Sequence, residues 1–173
     1  MSLTEGPGVT LGRATLHGSF TVERDLAASP DRVYAAYAGV TVRRRWFRMP
    51  GDRSRASHEL DFRVGGHEAA SGAFAPTGDA EERLEYRSTF WDLEAGARIV
   101  FGYSFTLDGV RRWSSLVTVE LSALPAGGGT RLRHTEQYVF LAYDGDGAQD
   151  VAHLKGSTNL QLNGLAAALD ATG

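Results

Sequence analysis

The sequence predicts an α+β fold: one antiparallel sheet with a long helix laid against its buried face. Three observations carry this expectation. From residue 58 to residue 140 apolar and polar residues alternate in runs broken by glycine-rich turns. Asp108-Gly109 is a strong two-residue hairpin signal. In residues 150–170, Val151, Leu154, Thr158, Leu162, Leu165 and Leu169 fall on one helical face.

The elements follow in order. Residues 1–16 read as a flexible lead-in, and residues 17–173 as a single domain. HGSFTVERDL (17–26) alternates as a first strand, with Phe20, Val22 and Arg24 on one side. In the next stretch Ser29 suits a helix N-cap, Pro30 the first turn and Asp31 the positive helix end. Gly39 is a stop, and 41–49 reads as a second short helix; its basic run suits an anionic partner or, as charged faces usually behave, a solvated arginine face beside a buried Trp46. HELDFRV (58–64) alternates, with Gly65-Gly66 turning into 67–74. Residues 83–94 and 97–107 are long strands joined at Ala95-Gly96, followed by strands at 111–121 and 131–140. YDGDGAQ (143–149) reads as a solvated turn, with Asp150 capping the last helix. Gly156 and Gly164 each weaken that helix by about 1 kcal/mol relative to alanine, so close crossings are expected there.

Composition removes several classes. A net charge of −3 argues against a nucleic-acid partner. With no cysteine, disulfides and thiolate chemistry are excluded. No apolar run reaches the roughly 18 residues of a membrane span. The N-terminus lacks a signal-peptide layout, so a cytoplasmic location is expected. The histidines lack zinc-site spacing, and 143–149 lacks the later ligands of a calcium loop. No metal and no cofactor are expected.

The order of elements, and particular residues within them, resemble the START-like (SRPBCC) helix-grip superfamily shared with the birch pollen allergen and polyketide cyclases. The chain looks most similar to the branch of heat-shock protein 90 ATPase activator homologues. Phe20 to Arg24, SPDRVYAAYA (29–38), Trp46-Phe47, DFRVGG (61–66) and GGTRLRHT (128–135) carry the resemblance, which spans residues 17–170. Val33-Tyr34 and Gly156-Ser157 stand where the family often has Val-Trp and Gly-Trp. The resemblance implies a curved sheet of about seven strands gripping the C-terminal helix, two short helices after strand one, and a cavity for a lipid or polyketide-like compound. It carries over no catalytic residue.

Alternation then supplies candidate cavity residues. The 58–64 strand offers His58, Leu60, Phe62 and Val64, and 67–74 offers His67 if the Gly-Gly turn keeps register. Tyr86, Phe101 and Tyr103 come from the next two strands, then Trp113 and Ser115. RLRHTEQYVF (131–140) puts His134, Glu136 and Tyr138 on its core-facing side, and Leu162 faces them from the helix. His134 and Glu136, about 7 Å apart as i and i+2, are spaced to hold one ligand or water and are the candidate acid–base pair. The alternatives are a hydrogen-bonded core histidine, and a Glu136 paired to Arg112 across the sheet.

Three functions follow. The first is binding of a hydrophobic small molecule with one or two polar groups. The second is a cyclase, dehydratase or hydrolase using His134 and Glu136. The third is a module stimulating a chaperone ATPase. A homodimer is compatible with all three.

Overall fold

The computed structural model describes residues 14–75 and 80–171. Most of the expected lead-in, and residues 76–79 between the strands expected at 67–74 and 83–94, lie outside the described residues. Strand β1 (Leu16–Leu26) is followed by helices α1 (Pro30–Ala38) and α2 (Val40–Trp46). Six strands come next: β2 (Ser57–Leu60), β3 (His67–Phe74), β4 (Glu82–Glu94), β5 (Arg98–Leu107), β6 (Val110–Ala123) and β7 (Thr130–Phe140). Helix α3 (Ala148–Asp170) ends the described chain.

The seven strands form one curved, open antiparallel sheet in the order β1-β7-β6-β5-β4-β3-β2. The hairpins β2 to β7 pair in sequence order, and β1 closes on β7. Asp108 and Gly109 both have positive φ, as a tight hairpin turn requires. Ser29 caps α1 by accepting from the Arg32 amide, and Pro30 opens the helix. On α3, Leu154, Thr158, Leu162, Leu165 and Leu169 are buried. The core lies between this face, α1 and α2, and the concave face of the sheet. Among the described residues no helix is long and apolar enough to cross a membrane.

Four expectations are corrected. Strand β2 ends at Leu60, so Phe62 and Val64 lie in the connection. The turn is wider than Gly65-Gly66, because the Gly65 amide bonds the Phe90 carbonyl and Gly66 accepts from the Phe90 amide. Leu60 therefore pairs with Glu68, whereas a two-residue turn would pair Val64 with His67. That odd offset swaps the faces of β3: His67 is exposed and Glu68 is buried. Second, the arginine run is not wholly solvated, because Arg43 is buried, three and four residues before Trp46 and Phe47. Third, α3 starts at Ala148 on a left-handed Gly147, and Asp150 binds Arg112 and the Asp144 amide in its first turn. Fourth, Gly164 does sit at a close crossing, since a Cβ there would lie 3.3 Å from the Trp46 Cβ, but Gly156 faces open space.

Candidate functional site

The concave face of β7 carries Leu132, His134, Glu136 and Phe140 as buried residues. Glu136 is 1% exposed. Its register partners are Phe20 on β1 and Val117 on β6, so apolar strands flank it on both sides. One strand further, Tyr103 of β5 donates its hydroxyl proton to Glu136 Oε1 at 2.5 Å. Trp113 Nε1 donates in turn to the Tyr103 oxygen at 3.0 Å. On the other side, His134 Nε2 lies 3.4 Å from Glu136 Oε2, and the Thr158 hydroxyl of α3 is also 3.4 Å away. Thr158 reaches the Leu154 carbonyl as well, at 3.1 Å, so its single proton is shared between two acceptors.

Burial, and after it the charge of Glu136, pushes the Tyr103 phenol well above its ordinary range. Tyr103 is thus held as a neutral donor. Among the described residues no lysine or arginine reaches Glu136; its partners are two hydroxyls and an imidazole. The buried Ser115 hydroxyl, on β6 opposite Tyr103, has no hydrogen-bond partner of ordinary geometry.

An aromatic wall surrounds this polar knot. Phe105 stacks on Trp113 with ring centroids 4.2 Å apart, and Phe140 lies 5.5 Å from both Trp113 and Tyr138. Tyr86 and Phe101 flank the Tyr103 ring at 5.0 and 6.3 Å. Phe20, Phe105, Trp113 and Tyr138 are half-buried, whereas Glu136 is almost wholly buried. Gly18 makes room for Tyr138: a Cβ there would fall on its phenol ring. Leu162 is buried against the core from α3.

The structure therefore brings together Tyr103, Trp113, Ser115, His134, Glu136 and Tyr138, with Tyr86, Phe101 and Leu162 around them. Phe62 is the outlier: in the β2–β3 connection it packs edge-on against Tyr34 and Phe90 at 5.4 and 4.9 Å. The spacing of the acid–base pair is also corrected. His134 and Glu136 lean together and touch, leaving no room for a ligand between them. Arg112 is not the partner of Glu136. It is skipped at a bulge between β5 and β6 and binds Asp150 at 2.8 Å and Asp144 at 3.2 Å.

Sequence reasoning missed a second buried group. Arg43 holds Glu68 bidentately, at 2.7 and 2.6 Å, and His58 Nε2 adds a contact at 2.8 Å. The Arg43 guanidinium also lies 4.1 Å from the Trp46 ring and 4.4 Å from Phe47. Burial alone would raise the Glu68 pKa, but Arg43 and then His58 outweigh it and hold it below the usual carboxylate range. The signal available was helical spacing, which puts Arg43 on the same face as Trp46 and Phe47.

Comparison with known proteins places the fold. The family described as "Activator of Hsp90 ATPase homolog 1-like protein" matches residues 27–170. A structure of a Rhizobium leguminosarum protein is 33% identical, with a TM-score of 0.76, covering 91% of this chain and 97% of that one. The Mll3558 protein of Rhizobium loti is 39% identical, with a TM-score of 0.71, covering 90% and 99%. DynU16, a protein in the dynemicin biosynthetic locus, shares the fold at 18% identity and a TM-score of 0.60, covering 88% of this chain and 47% of its own. No curated protein matches.

Proposed function

The chain belongs to the family of activator of Hsp90 ATPase homolog 1-like proteins, and from that premise we propose that it binds a hydrophobic small molecule, lipid or polyketide-like, against the aromatic end of the concave face. One observation carries the reading. A buried carboxylate held, among the described residues, by two neutral hydroxyls and an imidazole sits beside a half-buried aromatic wall. Aromatic burial supplies affinity, and a few convergent polar groups set orientation. Tyr103, Thr158 and His134 leave Glu136 with acceptor capacity to spare, and Ser115 offers an unused hydroxyl. The guest then carries a hydroxyl or amine directed inward and an apolar body directed toward Phe20, Phe105, Trp113 and Tyr138.

A second reading, acid–base catalysis on the bound guest, draws support from the contact of His134 with Glu136. Under this reading Glu136→Gln abolishes turnover of a bound compound while leaving its binding within a few-fold. Stimulation of a chaperone ATPase rests on the family description alone.

The test is native mass spectrometry of freshly purified protein, followed by thermal shifts against fatty acids, sterols and aromatic polyketides. A guest at a hundredfold excess over its Kd stabilises the fold by about 2.7 kcal/mol. The expected result is a shift that Tyr138→Ala and Glu136→Gln both diminish. No adduct mass and no shift from any compound overturns the proposal.

A further inference from the structure

The arginine-rich stretch after α2 is not used by the site above. Residues 43–58 contain six arginines and one acid, Asp52, in a chain whose net charge is −3. Asp52 is turned back on its own loop, accepting from the Ser54 amide and hydroxyl at 2.8 and 2.9 Å. Arg43 is consumed by Glu68, and Arg55 is paired with Glu81. Of the other four, Arg45 points elsewhere, while Arg44, Arg48 and Arg53 line a recess of about 630 Å³ between α2 and β2. Phe47 and Met49 form its apolar wall, and His58 lies at its inner side.

The recess is built rather than incidental. Arg44 is fixed by His58, donating from Nη2 to the main-chain carbonyl at 2.8 Å and from Nε toward Nδ1 at 3.4 Å. His58 is fixed in turn through Nε2, which must carry the proton because it faces the Glu68 carboxylate. Arg44 Nη1 and the Arg53 guanidinium take no acceptor among the described residues. Preset guanidinium donors beside an apolar wall fit a planar or tetrahedral oxyanion carried on an apolar group.

We propose that this recess is a second ligand site, separate from the Glu136 cluster, that binds a small amphipathic anion: a free carboxylate or phosphate monoester with an apolar body. Arg44, Arg48 and Arg53 hold the anionic head, and Phe47 and Met49 cover the body. The site does not depend on the function proposed above.

Isothermal titration of the full chain with n-octyl phosphate, n-octanoate, n-octanol and inorganic phosphate tests this, with amide chemical shifts locating the site. The expected result is saturable binding of octyl phosphate or octanoate that perturbs Arg44, Arg48 and His58. Octanol and inorganic phosphate are each weaker by roughly tenfold or more. The double variant Arg48→Glu/Arg53→Glu changes two exposed side chains, so it folds; it loses the binding but keeps any thermal shift from a guest of the aromatic site. Glu136→Gln keeps the anion binding. Octanol binding as tightly as octyl phosphate overturns the proposal, as does binding that survives the arginine variant but fails in Glu136→Gln. Binding to anionic phospholipid vesicles with none to monomeric octyl phosphate overturns it too, and points to a membrane surface.

Discussion

Glu68 and Glu136 are both 1% exposed on the same concave face, yet the fold treats them in opposite ways. Glu68 meets a buried guanidinium in a bidentate pair, packed among aromatic rings under α2. Glu136, four strands away, meets Tyr103, Thr158 and His134 and, among the described residues, no fixed cation. The first charge is neutralised within the structure and has little left to offer a guest. The second is solvated by groups that can also serve a ligand. Burial alone therefore does not separate the two carboxylates; under the function proposed above, the chemistry of their partners does.

The sharpest test of this contrast is Arg43→Met. It strands a buried charge at Glu68, so about 3–5 kcal/mol of stability is expected to disappear in urea unfolding. Arg43→Met combined with Glu68→Leu is expected to recover most of it. If Arg43→Met costs no more than a typical hydrogen bond, the contrast fails.

Acid titration comes next. The folded Glu68 pKa is lowered from 4.5, so as pH falls the unfolded chain takes up the proton first. The stability linked to Glu68 is complete above pH 4.5 and is lost as pH drops below it, through the lower folded value. Urea midpoints between pH 6 and pH 3 should show this decline in the native chain, and a shallower one in the Arg43→Met/Glu68→Leu double variant.

At the other carboxylate, Tyr103→Phe removes the donor to Glu136 Oε1 and leaves the Trp113 indole without its acceptor. About 1–3 kcal/mol is expected, measured in the same way. Loss of the guest-induced thermal shift in this variant, with the fold retained, would strengthen the contrast.

The smallest effect lies in α3. Gly156→Ala points into open space and should gain up to about 1 kcal/mol from helix propensity. Gly164→Ala presses on Trp46 and should gain less. Equal gains would mean that α3 packs no more tightly beside Arg43 than it does near Glu136.

Much of this was legible in the residues. Alternation in RLRHTEQYVF put His134 and Glu136 inward, and the structure finds both buried there. The SPDRVYAAYA capping signals and the Asp108-Gly109 turn appear where they were read. What stayed hidden was set by tertiary bonding. The Gly65-Gly66 connection is held open by β4, which moved Glu68 inward and His67 outward. A bulge at Arg112 redirected its side chain to Asp150, and no local pattern marks that skip. The lean that brings His134 onto Glu136 is a side-chain choice that strand periodicity does not encode.

Arg112 clamps the start of α3 through Asp150. Arg32 donates to the Leu169 carbonyl near the other end, at 3.3 Å, while Gly164 rests on Trp46. Mechanically the helix is a beam fixed at both supports. It is also tied along its middle, where Thr158 reaches Glu136 and Arg24 of β1 donates to Asn159 at 2.6 Å, so it does not swing away from the sheet like a door. Gly156 lies between these ties and faces open space. A guest of the kind proposed therefore has to fit against a helix held along its length, rather than enter by pushing that helix aside.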